Sequence, residues 1–433
     1  MDRDNHLLAS STLCRPAGGR TLKGNHILIT VERTLAGVRQ RVAIIEDGEL
    51  VEVHFAVPTR RNLVGNIYWG RVETVLPGMG AAFVNVGERK ALFLSEHELN
   101  DALLVAKGFE PWKEAVPIQK VLRPGDPLLI QVRREGMGKK NPQGTTKISL
   151  PGRYWVFLPT EDRVGISRRV GDPEAARRLR QIAYELKGER EGLIARTAAF
   201  RAEREELERD YHHLRSQWEE ITRLAEASSP PRLLHQPLDL VRTVIRDRFL
   251  ENVSSLIVDD EEQQRDIQEF LDQLRLPQLR RRVRLYRGQV PLFVRYDIER
   301  RLREALQRKI PLKAGGFLVV DETEALTAVD VNTGSDVRHR TQHSAILNTN
   351  LEAAKEIPRI LRLRKISGII IVDLVDMDNE ADAQQVISLL EAELRKDRVP
   401  ADLIGVTKLG LVEITRRREG ESLAATIEDV TET

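Results

Sequence analysis

Leu326-Thr-Ala-Val-Asp330-Val-Asn332-Thr-Gly334 decides how this chain is read. The stretch predicts a strand over Leu326–Asn332. Side chains alternate faces along a strand, so Asp330 and Asn332 share one face at its C-terminal end. Forty-three positions after Asp330, the run Gly368-Ile-Ile-Ile-Val-Asp373-Leu-Val-Asp376 closes a second, very apolar strand with another acid. A helix through Leu347–Arg364 fits between them. A strand–helix–strand order implies parallel neighbours with a right-handed crossover. Both acids then stand at the C-terminal ends of strands in one sheet, where open α/β sheets receive their ligands.

The α/β pattern extends outward from this pair. A helix is expected over Asp297–Lys309 and a strand over Gly316–Val320. Downstream come a helix over Ala381–Lys396, the strand Leu403–Val406 and the run Leu411–Ile414. Upstream lie a helix near Leu238–Glu251, strand Ser255–Val258, a helix near Gln263–Leu274 and strand Arg282–Tyr286. The helical run Arg201–Ala225 ends at Ser228-Ser229-Pro230-Pro231, a boundary signal. Five short strands come earlier: Asn66–Leu76, Ala81–Val86, Ala91–Leu94, Pro127–Arg133 and Thr145–Leu150. With Pro77-Gly78 and Gly87 at turns, they suit a small OB-type barrel, and Asn100–Pro124 reads as an insertion in it. The strand-like runs His26–Val31, Arg41–Glu46 and Leu50–Phe55 are too few for a domain and should complete a sheet made elsewhere.

At 433 residues the chain is too long for one core, so several domains are expected. Basic and acidic residues nearly balance, 68 against 66, and bulk charge therefore does not point to nucleic acid. Local charge does: Pro117–Leu150 holds seven Lys or Arg against two Asp or Glu, a net of +5. Arg280, Arg281, Arg282, Arg284 and Arg287 also crowd together. Such patches attract polyanions, although a solvated surface is at least as common. The single cysteine, Cys14, excludes a disulfide framework and a Cys-rich zinc site within one chain, and favours a reducing, cytoplasmic setting. No apolar run approaches the roughly 20 residues of a membrane span. The polar N-terminal stretch lacks a signal-peptide core and reads as a flexible extension. No Gly-rich phosphate loop appears, which argues against an NTPase.

Two carboxylates with room for water suit Mg²⁺, a hard ion that keeps part of its hydration and accepts phosphate oxygens. The alternative is that Asp330 and Asp373 cap following helices or bond loop amides. For either acid alone that alternative prevails; for the pair with Asn332 the metal reading is ahead. His339 and His343 have i, i+4 spacing but lack the Glu of an HExxH motif, and surface histidines explain them better. Phe83 and Phe93 fall on consecutive strands beside Arg133, Arg134, Lys139 and Lys140, a pattern used to stack single-stranded bases. Core packing is the competing explanation. Arg196 and Thr197, where strand-like Gly192–Arg196 meets a helical region, could hold a phosphate. An N-cap Thr beside a solvated Arg is the better reading of those two residues alone.

Several segments, in this order, resemble the ribonuclease E/G family. They are Gly65–Gly70, Leu76–Gly87, Ser149–Tyr154, Gly165–Arg169, Gly192–Thr197, Thr323–Gly334, Asn348-Thr-Asn-Leu-Glu-Ala-Ala354, and Leu361–Arg364 through Asp376. The resemblance covers roughly residues 27 to 423, and its two acid-bearing segments are the most specific. It implies an α/β multidomain fold: an OB-type S1 barrel inserted in a split RNase H-like subdomain, a 5′-sensor region and a DNase I-like catalytic subdomain. The corresponding boundaries are 1–26 for a flexible extension, 27–61 and 242–305 for the two RNase H-like parts, and 62–148 for the S1 domain. The 5′-sensor region takes 149–241, the catalytic subdomain 306–427 and the C-terminal end 428–433.

The resemblance also implies an endoribonuclease that hydrolyses single-stranded RNA with Mg²⁺, or Mn²⁺ in its place, leaving 5′-phosphate and 3′-hydroxyl ends. It would favour 5′-monophosphorylated substrates and serve RNA decay and ribosomal and transfer RNA processing, within an RNA-degradation assembly. By motif position Asp330 and Asp373 would hold the metal and Asn332 would orient Asp373. Phe83, Phe93 and Lys140 would contact RNA, and Gly152, Val156, Arg168, Arg196 and Thr197 would surround a 5′-monophosphate. Two departures stand out. Around Met137 a position often basic in the family is apolar. Family members also carry a Cys pair after the catalytic subdomain that clamps zinc between protomers, and none occurs before Thr433. No zinc is therefore expected in this chain, and a monomer or weak dimer is the expected assembly. The rival readings are a non-catalytic RNA-binding scaffold of the same architecture and a DNA nuclease with a related catalytic layer.

Overall fold

The computed structural model describes residues 22–35, 37–56, 62–110, 116–136, 140–167, 169, 172–313, 315–334, 342–418, 420 and 422–431. Cys14, Met137, Lys139, Arg168 and His339 lie outside the described residues. The chain is mixed α/β and divides into two compact units. One comprises Met1–Arg60, Leu240–Ile245 and Phe249–Thr433; the other comprises Arg61–Asp239 and Arg246–Arg248.

In the first unit, a five-stranded sheet runs Val283–Leu285, Ser255–Val258, His26–Thr34, Gly37–Glu46, Glu49–Ala56. The three N-terminal strands are antiparallel to one another, and His26–Thr34 joins Ser255–Val258 in parallel, with His26 opposite Ser255. The N-terminal segment thus completes a sheet begun far along the chain, as expected. The reason is hydrophobic: Ile27, Leu28 and Ile29 are 0–1% exposed and need partners on both faces.

The second sheet of this unit has six strands, ordered Lys309–Pro311, Phe317–Glu322, Leu326–Asn332, Gly368–Asp373, Val412–Arg416, Ala401–Val406. Leu326–Asn332 and Gly368–Asp373 run parallel, joined by the helix Gln342–Arg364. The other neighbours are antiparallel, which corrects the expectation of parallel pairing for this segment as a whole. The links explain it. Phe317–Glu322 and Leu326–Asn332 are separated by only residues 323–325, too few for a crossover. One face of the sheet buries Val329, Val331, Ile370, Val372 and Ile414 in a core shared with Ala353, Ala354, Ile357, Val386 and Leu390 from the helices Gln342–Arg364 and Glu380–Leu394. The opposite face leaves Ala328, Asp330, Ile369, Asp373, Ile404 and Val406 exposed.

In the second unit, Ile67–Leu76, Ala81–Asn85, Leu92–Ser95, Gln143–Thr145 and Pro127–Arg134 pair in sequence, and Ile67–Leu76 also pairs with Pro127–Arg134. The five strands therefore close into a barrel. Arg232–His235 adds to it along Ile67–Leu76. The Gln143–Thr145 strand ends where the expected Thr145–Leu150 strand would begin, because Leu150–Pro151 enters a neighbouring sheet. That sheet runs Val164–Ile166, Gly192–Ala195, Trp155–Leu158, Leu150–Pro151. The helices Pro173–Leu186 and Arg204–Glu226 supply Leu179, Ile182, Leu207, Tyr211 and Leu214 to its core. Asp172 caps the first helix and a Glu203–Glu206 capping box starts the second. Among the described residues of Asn100–Pro124 lie two short helices, Asp101–Ala106 and Ile118–Val121.

Among the described residues no helix is long and apolar enough to cross a membrane. The arginine cluster is largely engaged: Arg280 pairs with Asp272 at 2.7 Å, Arg287 with Glu261 at 2.7 Å, and Arg282 donates to the Val253 carbonyl at 2.9 Å.

Candidate functional site

Parallel register brings the two acids together. Asp330 is the residue paired with Asp373, preceded by the pairs Val329–Val372 and Ala328–Ile371. Paired residues on adjacent strands lie about 4.8 Å apart and project from the same face. The valines point into the core and the acids into solvent, on the open face of the sheet. Neither acid caps a helix among the described residues; the helix Glu380–Leu394 is capped by Asn379, whose side chain accepts from the Ala381 amide. That removes the capping alternative for Asp373. Asn332 Nδ2 donates to Asp330 Oδ2 at 2.8 Å. Its hydrogen bond therefore goes to its own strand, where period two places it, and not to Asp373 as the resemblance implied.

The donor set at this end of the sheet is oxygen. No group of three or more His, Cys, Asp or Glu residues suited to a metal occurs among the described residues. An ion held here would have two protein carboxylates and fill its remaining positions with water or phosphate oxygens. That describes Mg²⁺ better than zinc, which wants nitrogen or sulfur ligands in a closed tetrahedron. The residues present fit the hard ion. His343 pairs with Asp382 at 3.0 Å, which agrees with a surface role for that histidine.

Sequence reasoning passed over two residues here. Lys309 occupies the same row as the acids, since Lys309 pairs with Val319, and Val319 with Asp330. Its Nζ sits 3.6 Å from the centre of the Phe317 ring. Asn350, fully buried on the helix Gln342–Arg364, donates from Nδ2 to the Val375 carbonyl at 2.7 Å and accepts from the Val375 amide at 3.1 Å. A polar residue in the apolar stripe with Ala353, Ala354 and Ile357 was the signal that could have found it.

On the barrel, Phe83 and Phe93 face each other across adjacent strands, with ring centres 5.9 Å apart and planes at 68°. Both are half-buried, while Ala82, Val84, Leu92 and Leu94 point inward at 0% exposure. The two rings therefore lie on the outer surface, and the core explanation does not apply to them. The segment containing Lys140 runs alongside: the Phe93 amide donates to the Pro142 carbonyl at 2.8 Å, and Asn141 Nδ2 to the Ala91 carbonyl at 2.9 Å. Lys140 itself is exposed. Arg133, by contrast, is tied to Glu98.

Of the four described residues of the expected phosphate pocket, Val156 lies in a strand of the four-stranded sheet, and Gly152, Arg196 and Thr197 lie just beyond the ends of its strands. Val156 pairs with Ile194 two positions before Arg196, and the Arg196 amide donates to the Tyr154 carbonyl at 2.8 Å. Arg196 Nη1 donates to the Gly152 carbonyl at 2.6 Å and Nη2 pairs with Asp247 Oδ1 at 2.7 Å. Only about a fifth of its side chain is exposed, so it is not a solvated Arg. Thr197 opens the short 3₁₀ helix Thr197–Arg201, and its hydroxyl lies 3.2 Å from the Ser167 hydroxyl. Gly152 has no room for a Cβ, which would fall 2.6 Å from Asp210 Oδ2.

Asp210 accepts from the amides of Arg153, Tyr154 and Trp155 at 3.2, 2.8 and 2.9 Å. Burial nonetheless pushes its carboxyl above the ordinary range. Burial pushes Asp247 upward too, but hydrogen bonding to Arg246 and the charges of Arg196 and Arg246 more than offset it, holding the carboxyl at about 2.

An α/β sheet presenting two acids in register on its open face, and a closed barrel carrying surface aromatics beside a lysine, define a class of multidomain α/β protein. Sequence comparison makes that class specific. Residues 149–419 match the Ribonuclease E/G family. Ribonuclease G of Salmonella typhimurium is 40% identical over 387 residues, spanning 88% of this chain and 78% of that protein. Ribonuclease G of Escherichia coli is 39% identical over 384 residues, with the same coverage. Ribonuclease E of a Nostoc species is 35% identical over 392 residues, spanning 90% of this chain and 56% of that protein. The chain belongs to the ribonuclease E/G family.

Proposed function

We propose that this chain is an endoribonuclease of RNA processing that hydrolyses phosphodiester bonds in single-stranded RNA with Mg²⁺. The observation that carries the reading is the register pair of Asp330 and Asp373 on the open face of the sheet, in a chain whose relatives are ribonucleases. In this reading Asp330 and Asp373 hold the ion, and Asn332 fixes the Asp330 carboxylate by donating to Oδ2. When bound, Mg²⁺ supplies an acidified water and a counter-charge for the phosphate oxygens. Mn²⁺, equally an oxygen-seeking ion, substitutes for it.

The closed barrel is then the S1 domain, gripping RNA through Phe83, Phe93 and Lys140. The sheet bearing Arg196 belongs to the 5′-sensor region, where Gly152, Val156, Arg168, Arg196 and Thr197 receive a 5′-monophosphate. The five-stranded sheet is RNase H-like and the acid-bearing sheet DNase I-like. Arg196 spends donors on Gly152 and Asp247, and retains others of its five for a phosphate. A cytoplasmic setting and work within an RNA-degradation assembly accompany this reading. The test is cleavage of unstructured RNA against single-stranded DNA of the same sequence, with product ends analysed. RNA cut to 5′-phosphate and 3′-hydroxyl ends is expected. Equal cleavage of DNA, or no cleavage of RNA, overturns the proposal.

A further inference from the structure

We infer that Asn350 is the positioning residue for Asp373: its buried side chain fixes the backbone segment immediately after the acid and so sets the carboxylate that faces Asp330. The inference rests on the metal-holding role proposed for Asp330 and Asp373.

The strand Gly368–Asp373 ends at the acid itself. The next residues, Leu374 and Val375, have left the ladder, so their amides and carbonyls need other partners. Asn350 provides them at Val375, donating to its carbonyl at 2.7 Å and accepting from its amide at 3.1 Å. One carboxamide thus engages both backbone groups of one residue, as a neighbouring strand would. The bonds bridge the helix Gln342–Arg364 and the segment that follows the acid, and they are sheltered: Asn350 is 0% exposed.

A buried carboxamide is costly unless its donor and acceptor are both used. Leu or Ala would satisfy the apolar stripe more simply. Ala353, Ala354 and Ile357 on the same stripe are all 0–1% exposed. What an apolar residue cannot do is hold Val375. Asp373 would then be anchored by the ladder alone, through its own pairing with Asp330 and the pairs up to Val372–Val412, with its exit segment free to move. Two carboxylates that share an ion need fixed separation, and outer groups that orient ligands commonly carry about 10–100-fold in metal affinity or activity. The motif Asn348–Ala354, carried by the crossover helix rather than by either acid-bearing strand, acquires a role in this way.

The experiment titrates Mn²⁺ into the full chain without RNA, by calorimetry or by the spin resonance of the free ion. The variants are Asn350→Leu, Asn350→Ala, Thr349→Val, Asp330→Asn and Asp373→Asn. Thr349 is a matched control: it is 3% exposed on the same helix, and its hydroxyl donates to the Ala345 carbonyl within that helix. RNA affinity without divalent ion and melting temperature are recorded for each. Asn350→Leu, which keeps the branched outline without the polar atoms, and Asn350→Ala, which removes it, should both weaken Mn²⁺ by roughly tenfold or more, with RNA affinity unchanged. Thr349→Val should bind Mn²⁺ like the wild type. Wild-type Mn²⁺ affinity in both folded Asn350 variants, while the Asp variants lose it, overturns the positioning role alone. Undiminished Mn²⁺ binding in the Asp variants overturns the underlying metal reading and this inference with it. Equal weakening by Thr349→Val would show a general effect of loosening the helix and would also overturn it.

Discussion

Asp330 and Asp373 owe their approach to main-chain register between neighbouring strands, whereas Arg196 owes its position to side-chain bonds with Asp247 and the Gly152 carbonyl. The acids are exposed at the end of a ladder whose geometry the backbone dictates. The guanidinium is largely enclosed, and its partners are enclosed with it. A site made by register can lose a functional group while the sheet persists. One made by a web of side chains cannot lose a member without disturbing the others.

The largest effect that separates the two is expected at Asp330. Asp330→Asn removes a charge from an exposed strand end, so melting should barely change. Cleavage should fall on the order of a thousandfold, the several kcal/mol that a metal contributes to such hydrolysis. An Asp330→Asn variant that cleaves normally breaks the comparison on the side of the acids.

Arg196→Ala should behave in the opposite manner, losing stability as well as end preference. It strips a partner from Asp247, a buried carboxylate that keeps Arg246, at a cost of about 2 kcal/mol. Thr197→Val isolates function from fold, because Thr197 is only half-buried and its hydroxyl lies 3.2 Å from the Ser167 hydroxyl, a neutral contact outside the Arg196–Asp247 pair. It should reduce the preference for 5′-monophosphate over 5′-hydroxyl RNA with little change in melting. An unchanged preference in both variants would remove the pocket from the account.

Phe83→Ala and Phe93→Ala should each weaken RNA binding by roughly 1–3 kcal/mol through lost base stacking. Since both rings lie outside the barrel core, melting should shift little. A large loss of stability without a binding defect would return them to structural duty.

The most condition-bound effect is in acid, since it appears only at low pH. Asp247 is held at about 2 in the folded chain, below its ordinary value of 3.8. A carboxyl with a depressed folded pKa adds stability above the unfolded value, and that stability is lost as pH falls from about 4 toward about 2. The wild type should lose about 2 kcal/mol more than Asp247→Asn over that window. Parallel melting curves for the two proteins against pH would contradict the ion-pair account.

What could be read from sequence follows the same division. Alternation along 326–332 and the apolar run 368–372 sufficed to place both acids on neighbouring parallel strands, because register is a local property of backbone geometry. Phe83 and Phe93 could be assigned to consecutive strands, but not to the outer face, since alternation alone does not say which face is inside. The antiparallel majority of the acid-bearing sheet escaped because short links and crossovers look alike until strand ends are known. Asp247 and Asp210 escaped altogether. Asp247 lies 51 positions from its partner Arg196, and Asp210 lies 55–57 positions from the Arg153, Tyr154 and Trp155 amides it accepts from, and nothing in their local sequence marks those partners. Asn350 was visible as a motif residue, yet its bond to Val375 depends on how one helix packs against the segment that leaves one strand.

The most direct test of the central claim is a Mg²⁺ titration of cleavage on an unstructured, 5′-monophosphorylated RNA, with the wild type and Asp373→Asn side by side and RNA affinity measured for both. The account predicts that the wild type cleaves only when Mg²⁺ is added, and that Asp373→Asn binds the RNA as well but does not cleave it at any Mg²⁺ concentration. Full wild-type cleavage in excess chelator, or near-normal cleavage by Asp373→Asn, would contradict it.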